Sequence, residues 1–187
     1  MTRIIFIRHG ETLWNIEGRE MGHLNSPLSS RGELQAKAIA ERLRTEAFSQ
    51  LYSSDLGRAL QTAEAISSTF KIEIVKEPEL RERNMGVWQG CTYKEIFEKY
   101  PEQLNLYREN RWEYIIPEGE SQKQRFNRTV EIMNELARRH QGETIVVVSH
   151  GGVLRGFFEY VLNIKNGDED RFMRENATFN SFILKND

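Results

Sequence analysis

Short runs that contain apolar residues recur along the chain, and longer segments with apolar residues at helical spacing separate them. Such runs predict strands, and the segments between them predict helices. The strand runs are residues 4–7, 50–53, 72–75, 144–148 and 179–184. Strands that alternate with helices are typical of a mostly parallel central sheet with helices on both faces. We therefore predict an α/β fold of this kind, with all 187 residues in one domain.

The first long helix is predicted to follow a polar loop over residues 16–28. Ser30 and Glu33 have the three-residue spacing of a capping box, so we expect the helix to begin there. Leu34, Ala38 and Leu43 can then form its buried face.

The segment over residues 93–114 is rich in aromatic residues and glutamates, and Pro101 divides it into two short predicted helices. Nothing next to it resembles a linker, so we interpret residues 91–120, approximately, as a small helical cap inserted into the domain. Arg108 and Arg111 lie in this segment. We expect the cap to influence which substrate is accepted.

Charge and cysteine content narrow the classes of function. The net charge of −2 provides no overall basic field, so we expect neither nucleic acid nor a membrane surface as a partner. The single cysteine, Cys91, excludes an internal disulfide and suits a reducing compartment. The first apolar run, residues 4–7, is too short for a signal peptide. These features predict a cytoplasmic protein.

Histidine and arginine follow the predicted strands. Arg8 and His9 come directly after the first strand, and Ser149 and His150 come directly after the strand over residues 144–148. The second strand leads to Arg58 in the first turn of a helix, where backbone N–H groups favour an anion. In a parallel sheet, residues at the carboxyl ends of two strands can meet at a topological switch point. Each residue could also be an ordinary polar residue at a strand or helix end.

This set of residues suits a phosphoryl group, since it has two arginines and two histidines without a carboxylate cluster. Guanidinium groups match phosphate oxygens, and a neutral imidazole can act as a nucleophile or as a hydrogen-bond donor.

Other chemistries lack their residues in this sequence. The four histidines lack paired metal-ligand spacing, and the sequence contains no Walker loop. Cys91 lacks the arginine of a cysteine phosphatase loop, and Ser149 lacks the flanking glycines of a nucleophile elbow. Histidine is the remaining candidate nucleophile.

Four motifs resemble the histidine phosphatase superfamily, which also contains the cofactor-dependent phosphoglycerate mutases. They are RHGET at residues 8–12, SDLGRALQTA at 54–63, LRERNMGVWQG at 80–90 and VSHGG at 148–152. With smaller matches they extend from residue 3 to residue 177, in the order found in the family. The resemblance thus covers nearly the whole chain and implies a phosphoglycerate mutase-like fold.

The resemblance also implies the roles of individual residues. His9 would be the nucleophile that carries a phosphohistidine, and Glu82 would protonate the leaving oxygen. The expected phosphate-binding residues are Arg8, Arg58 and His150, with Asn15 and the backbone of Gly22 and Gly151 completing the pocket. No metal and no cofactor is implied. We further expect burial to raise the pKa of Glu82 against the effect of nearby arginines, which would give an optimum on the acid side of neutral.

The loop over residues 19–29 departs from the family pattern. Met21 stands where a polar residue is usual, and His23 and Asn25 are also altered. Because methionine cannot donate a hydrogen bond to phosphate, we expect the backbone of Gly22 to make the contact there and the substrate preference to be shifted.

Three functions remain open at this point. The first is a metal-independent phosphomonoesterase that hydrolyses a small phosphorylated metabolite, the second is a mutase, and the third is an inactive phosphate-sensing module. Only 28 residues separate Ser121 from Ser149, and three follow Leu184, so we expect a short cover that admits water and favours hydrolysis. The apolar run 179–184 could pair two copies as a homodimer.

Overall fold

The computed structural model describes residues 1–164 and 175–185. The strands are β1 (Thr2–Arg8), β2 (Gln50–Ser53), β3 (Ile74–Lys76), β4 (Thr144–Ser149) and β5 (Phe179–Leu184). The helices are α1 (Leu13–Glu17), α2 (Ser30–Arg42), α3 (Gly57–Phe70), α4 (Tyr93–Lys99), α5 (Pro101–Glu109), α6 (Gln122–Arg139) and α7 (Gly151–Val161). All five predicted strands are present, although β3 begins later than predicted.

The five strands form one sheet in the order β3-β2-β4-β1-β5. β1, β2, β3 and β4 pair in parallel, and β5 pairs antiparallel with β1 at the edge. The prediction of a mostly parallel central sheet is therefore confirmed.

Successive residues of β1 point to opposite faces of the sheet, as the two-residue period of a strand requires. Ile5 and Ile7 pack with α2 and α3 in one apolar cluster. Ile4 and Phe6 pack with α6 and α7 in another. Because both faces are covered, residues 4–7 of β1 are all apolar, as is typical of parallel strands buried on both sides.

The strand order creates a crevice at the carboxyl ends of β1 and β4. After β1 the chain passes beyond β4 to β2, whereas after β4 it returns past β1 to β5. The two connections therefore leave neighbouring strands in opposite directions. This is the topological switch point at which open α/β sheets bind ligands.

The predicted start of α2 at Ser30 and the burial of Leu43 are confirmed, whereas the predicted cap and the burial of Leu34 and Ala38 are wrong. The N-cap is Ser29, whose side chain accepts the Gly32 N–H. Leu34 is 66% exposed, and the buried face is instead formed by Gly32, Ala36, Ile39 and Ala40, with Leu43 in the following turn. Apolar residues lie on two sides of this helix, and the side with Ile39 and Ala40 is the one that meets the sheet.

Two helices, α4 and α5, occupy the predicted cap, and Pro101 is the first residue of the second one. A third apolar cluster joins this region to the segment around Trp88, and its buried members are Met85, Trp88, Cys91, Ile96, Leu104 and Ile116. The interpretation of residues 91–120 as a cap within a single domain stays a prediction.

No described helix is long and apolar enough to cross a membrane. At the sheet edge, Ile183 of β5 is exposed whereas Phe182 is buried. The pairing of two copies through this strand stays a prediction.

Leu136→Ala should destabilise the protein by about 2–5 kcal/mol, because the side chain is fully buried between α6 and the sheet and its loss leaves a cavity. Leu34→Ala is the matched control and should change the free energy of unfolding by less than about 0.5 kcal/mol. Chemical denaturation measures both values. Equal losses would contradict the observed orientation of α2.

Candidate active site

His9 and His150 meet at the switch point, as the sequence predicts. β1 pairs with β4 such that Arg8 lies opposite Ser149, so the next residue of each strand leaves the sheet at the same level. The His9 N–H donates to the Ser149 carbonyl at 2.9 Å. The two imidazole rings pack edge to face with centroids 5.2 Å apart, and both residues are buried.

The His9 ring is held in one tautomer. Its Nδ1 lies 2.7 Å from the Gly10 carbonyl oxygen, which can only accept a hydrogen bond, so Nδ1 carries the proton. Burial lowers the pKa of His9 well below 6.5, and the charges of Arg58 and Arg8 lower it further. The ring is therefore neutral near pH 7. Its Nε2 has a free lone pair, which is what a nucleophile requires.

His150 is fully buried beside His9, and burial together with Arg58 lowers its pKa well below 6.5. Its Nε2 lies 2.8 Å from the Ser54 hydroxyl. The Ser54 hydroxyl can donate to this nitrogen or accept from it, and the Ser54 oxygen also accepts the Leu56 N–H. His150 Nδ1 is buried and has no hydrogen-bond partner among the described residues.

Arg58 lies in the first turn of α3, and the loop after α1 holds its guanidinium group. Its two terminal nitrogens donate to the carbonyls of Leu24 (2.9 Å) and Gly22 (2.8 Å). The residue is 1% exposed, and burial lowers its pKa to about 10, so it stays charged near pH 7. Gly22 thus contributes its carbonyl to positioning Arg58. The Met21 sulfur accepts the hydroxyl of Thr12 at 3.3 Å.

Close packing fixes the position of one further predicted residue, Gly151, and hydrogen bonds fix that of another, Asn15. A Cβ atom on Gly151 would lie 3.1 Å from Arg8 Nε, so the glycine leaves space for this guanidinium group at the start of α7. The Asn15 side-chain oxygen accepts the Thr12 N–H that caps α1 and also the side-chain amide of Asn176 (3.2 Å).

Glu82 is held by backbone groups. One carboxylate oxygen accepts the Arg83 N–H and the other accepts the Gly152 N–H, both at 2.8 Å. Burial raises the pKa of Glu82, but Arg125, these two N–H groups and Arg58 outweigh burial and lower it. The prediction of a raised pKa is therefore wrong for the unliganded protein, and the expected acid-side optimum loses that basis.

A cavity of about 750 Å³ brings most of the predicted site residues together. His150 is the exception among them, since it lies buried against His9 and is not part of the cavity wall. The predicted residues in the wall are Arg8, His9, Asn15, Gly22, Arg58, Glu82 and Gly151. One cavity therefore holds a neutral imidazole, three cationic or amide donors and a carboxylate. Such a set can bind and transfer a phosphoryl group.

The sequence analysis missed other polar residues of this wall, among them Arg83, Gln122 and Arg125. Gln122 and Arg125 lie on the buried face of α6, in phase with Thr129 and Ile132. A polar residue at an apolar position of a helical pattern is a signal that could have found them. In the described parts of the chain, no group of three or more His, Cys, Asp or Glu is arranged to hold a metal ion.

The sequence matches the histidine phosphatase superfamily (branch 1) over residues 4–187, and the chain belongs to that superfamily. It is 43% identical to a metal-independent phosphoserine phosphatase of Arabidopsis thaliana, over 84% of this chain and 68% of the relative. It is 35% identical to phosphoserine phosphatase 1 of Hydrogenobacter thermophilus, over 96% of this chain and 85% of the relative. It is 32% identical to the probable phosphoglycerate mutase GpmB of an Enterobacter species, over 95% of this chain and 83% of the relative.

The structure of Bacillus stearothermophilus YhfR superimposes with a TM-score of 0.90 at 29% identity, covering 99% of this chain and 92% of that one. The predicted family and the predicted fold are therefore confirmed. The family and the named relatives also confirm that the chain is a phosphatase-type enzyme.

The stability of the protein should fall as the pH falls below 6.5. Both buried histidines have a lowered pKa in the folded state, so the unfolded chain binds more protons below that pH. Each can cost up to about 1.4 kcal/mol per pH unit until the pH reaches its folded-state pKa. Denaturant unfolding between pH 8 and 5 measures the slope, and His9→Gln should make it shallower. A stability that rises on acidification would contradict the burial of both rings as neutral groups.

Ser54→Ala should lower kcat about 10- to 100-fold, because His150 loses the hydroxyl that fixes its orientation beside His9. Ser53→Ala is the control, since that hydroxyl donates to the Ser54 carbonyl and not to either imidazole. Steady-state assays at several pH values give kcat, and thermal unfolding verifies that both variants are folded. Equal kcat values for the two variants would show that Ser54 does not act through His150.

Proposed function

We propose that the protein is a metal-independent phosphomonoesterase that hydrolyses a small phosphorylated metabolite through a phosphohistidine on His9. The observation that carries the proposal is the fixed tautomer of His9, which leaves Nε2 unprotonated. His9 lies in the wall of a cavity that Arg8 and Arg58 also line. This arrangement provides a nucleophile and the positive charge that a phosphoryl group requires.

In the first half of the reaction, His9 Nε2 attacks phosphorus and the P–O bond to the leaving alcohol breaks. Arg8 and Arg58 offset the charge on the equatorial oxygens. His150 packs against the ring of His9 from outside the cavity wall and holds the nucleophile in place. Phosphoryl transfer depends mostly on such positioning and charge stabilisation. The loss of one donor of this kind typically costs about 10²–10³ in rate.

The leaving oxygen needs a proton, and Glu82 supplies it. In the unliganded protein its pKa is lowered, partly by Arg125 and Arg58. A bound phosphoryl group brings negative charge beside these arginines and offsets their effect, so the carboxyl group can hold a proton in the complex. In the second half, water attacks the phosphohistidine, the N–P bond breaks and Glu82 takes the proton of the water.

Hydrolysis is the outcome that the named phosphatase relatives favour. A mutase, as suggested by the name of the Enterobacter relative, would return the phosphoryl group to a second hydroxyl. Phosphoglycerate distinguishes these reactions, because interconversion of its isomers without release of phosphate would favour the mutase.

We propose a reducing compartment, the cytoplasm, as the location of the protein. In support, the sequence contains one cysteine, Cys91, which is buried and can form no disulfide within the chain. Fractionation of cells that produce the full chain tests this location.

His9→Ala should abolish the release of phosphate, with a loss of at least about 10³-fold in kcat, because no other imidazole of the cavity wall can replace it. The assay uses a panel of small phosphomonoesters with EDTA present. The control is His140→Ala, which replaces a histidine that directly follows α6 and is not part of the cavity wall. Labelled phosphate should remain on the wild-type chain after an alkaline quench. Tight phosphate binding without turnover or labelling would instead indicate a phosphate-sensing module.

A further inference from the structure

Residues 22–24 lie between two groups that the proposed reaction uses. The carbonyls of Gly22 and Leu24 accept the terminal nitrogens of Arg58, at 2.8 and 2.9 Å. His23, the residue between them, makes a different contact, since its ring nitrogen Nε2 lies 2.8 Å from the carbonyl oxygen of Glu82. This short segment therefore contacts both an arginine that stabilises the phosphoryl group and the residue that protonates the leaving oxygen.

The His23 ring is the donor in its contact with Glu82. A carbonyl oxygen can only accept a hydrogen bond, so Nε2 carries a proton. The backbone of His23 is also held, because its N–H donates to the side-chain oxygen of Gln89 at 2.6 Å. His23 is not part of the cavity wall. We therefore assign its ring no contact with the substrate, and any effect on the reaction must pass through the residues that it touches.

The carbonyl that His23 binds belongs to the peptide unit between Glu82 and Arg83. The N–H of the same unit donates to a carboxylate oxygen of Glu82 at 2.8 Å. A trans peptide unit is planar and its C=O and N–H point in opposite directions, so a rotation of the unit moves both groups together. The hydrogen bond from His23 therefore fixes the direction of the N–H that holds the carboxylate.

Arg128 of α6 makes a second, longer contact with the same carbonyl. One of its terminal nitrogens lies 3.4 Å from the Glu82 oxygen, which is beyond the usual length of an N–H···O hydrogen bond. The other terminal nitrogen donates to the carbonyls of Glu79 and Arg81, at 2.6 and 2.8 Å. Arg128 thus holds mainly the residues before Glu82, whereas His23 is the close donor to the peptide unit that follows it.

The Arg83 N–H affects the charge of the Glu82 carboxylate as well as its position. Burial raises the pKa of Glu82, but Arg125, the Arg83 N–H and the Gly152 N–H are among the groups that together lower it. If the peptide unit could rotate, one of these N–H groups would leave the carboxylate. His23 is therefore in direct contact with the peptide unit that helps to control both properties of the carboxylate.

We propose that His23 is a positioning residue for the acid step, whose Nε2–H holds the peptide unit between Glu82 and Arg83 and keeps the Glu82 carboxylate in place to protonate the leaving oxygen. The inference rests on the proposed function, in which Glu82 is the acid. The contacts to Arg58 come from backbone carbonyls and not from the His23 ring. Loss of the ring should therefore weaken the acid step and leave the stabilisation of the phosphoryl group in place.

Two amide side chains of different length test whether the position of the donor matters. The side-chain nitrogen of glutamine is separated from Cα by as many bonds as Nε2 of histidine, so His23→Gln can keep the hydrogen bond. Asparagine is shorter by one methylene group, so His23→Asn cannot place its donor at the same point. The two variants carry the same functional group and form a matched pair, and His23→Ala removes the side-chain donor altogether.

Two esters that differ in the leaving group isolate the acid step. para-Nitrophenol leaves as a stable anion and needs little help from an acid, whereas phenol is more basic and depends on the proton. The value of kcat/KM reports the steps up to release of the alcohol, so the later attack of water does not enter it. The ratio of kcat/KM for phenyl phosphate to kcat/KM for para-nitrophenyl phosphate therefore measures the contribution of the acid, and Glu82→Gln, which should lower it, provides the calibration.

His23→Asn and His23→Ala should lower this ratio about 10- to 100-fold, because a displaced acid loses much of its contribution to catalysis. Their kcat/KM for para-nitrophenyl phosphate should change by less than about 3-fold, since the contacts of Arg58 remain. His23→Gln should keep the ratio within about 3-fold of the wild-type value, because its amide can replace the donor. Thermal unfolding verifies that all three variants are folded.

A ratio for His23→Asn that equals that of the wild type or of His23→Gln would overturn the positioning role. An equal loss for both esters would also overturn it, because the effect would then lie at Arg58. In these cases release of phosphate that depends on His9 leaves the proposed function standing.

A ratio that Glu82→Gln leaves unchanged would overturn the role of Glu82 as the acid and the role of His23 with it. If no phosphomonoester is hydrolysed and no phosphate is trapped on the chain, the proposed function fails first, and the positioning role fails with it.

Discussion

The pairing of β1 with β4 is the constraint on which the rest of the structure depends. The two strands are parallel neighbours in a register that places Arg8 opposite Ser149, and a shift of one residue would reverse the faces of the apolar side chains. Because apolar clusters cover both faces, the register is fixed by the core itself. The contact between His9 and His150 follows from that register without any interaction specific to the two rings.

Burial of charge is the second constraint. Arg58 and Arg125 are almost fully buried, and each relies on backbone carbonyls as hydrogen-bond partners. Carbonyl oxygens satisfy donors without neutralising the charge, so the cavity keeps a positive field. Burial and this field together keep His9 and His150 neutral, and the field keeps Glu82 ionised before a ligand binds. The positive field of the cavity therefore favours an anionic ligand.

Sequence patterns predicted the strands and the meeting of the two histidines because both depend on local apolar runs and on general rules of parallel sheets. The apolar pattern predicted the wrong buried residue in α2, because this helix has apolar residues on two sides. Only packing against the sheet places Ile39 in the core and leaves Leu34 exposed. The family resemblance located Glu82 but not the direction of its pKa shift, which depends on Arg125, a residue 43 positions further along the sequence. Long-range contacts of this kind leave no periodic signal.

The position of Arg125 links recognition of the substrate to the acid step. Its charge is the first of the influences that lower the pKa of Glu82. The phosphoryl group of a bound substrate offsets that charge and makes it easier for Glu82 to hold the proton that the leaving oxygen needs. Arg125 therefore keeps Glu82 ionised while the cavity is empty, and binding of the substrate prepares the acid for the chemical step.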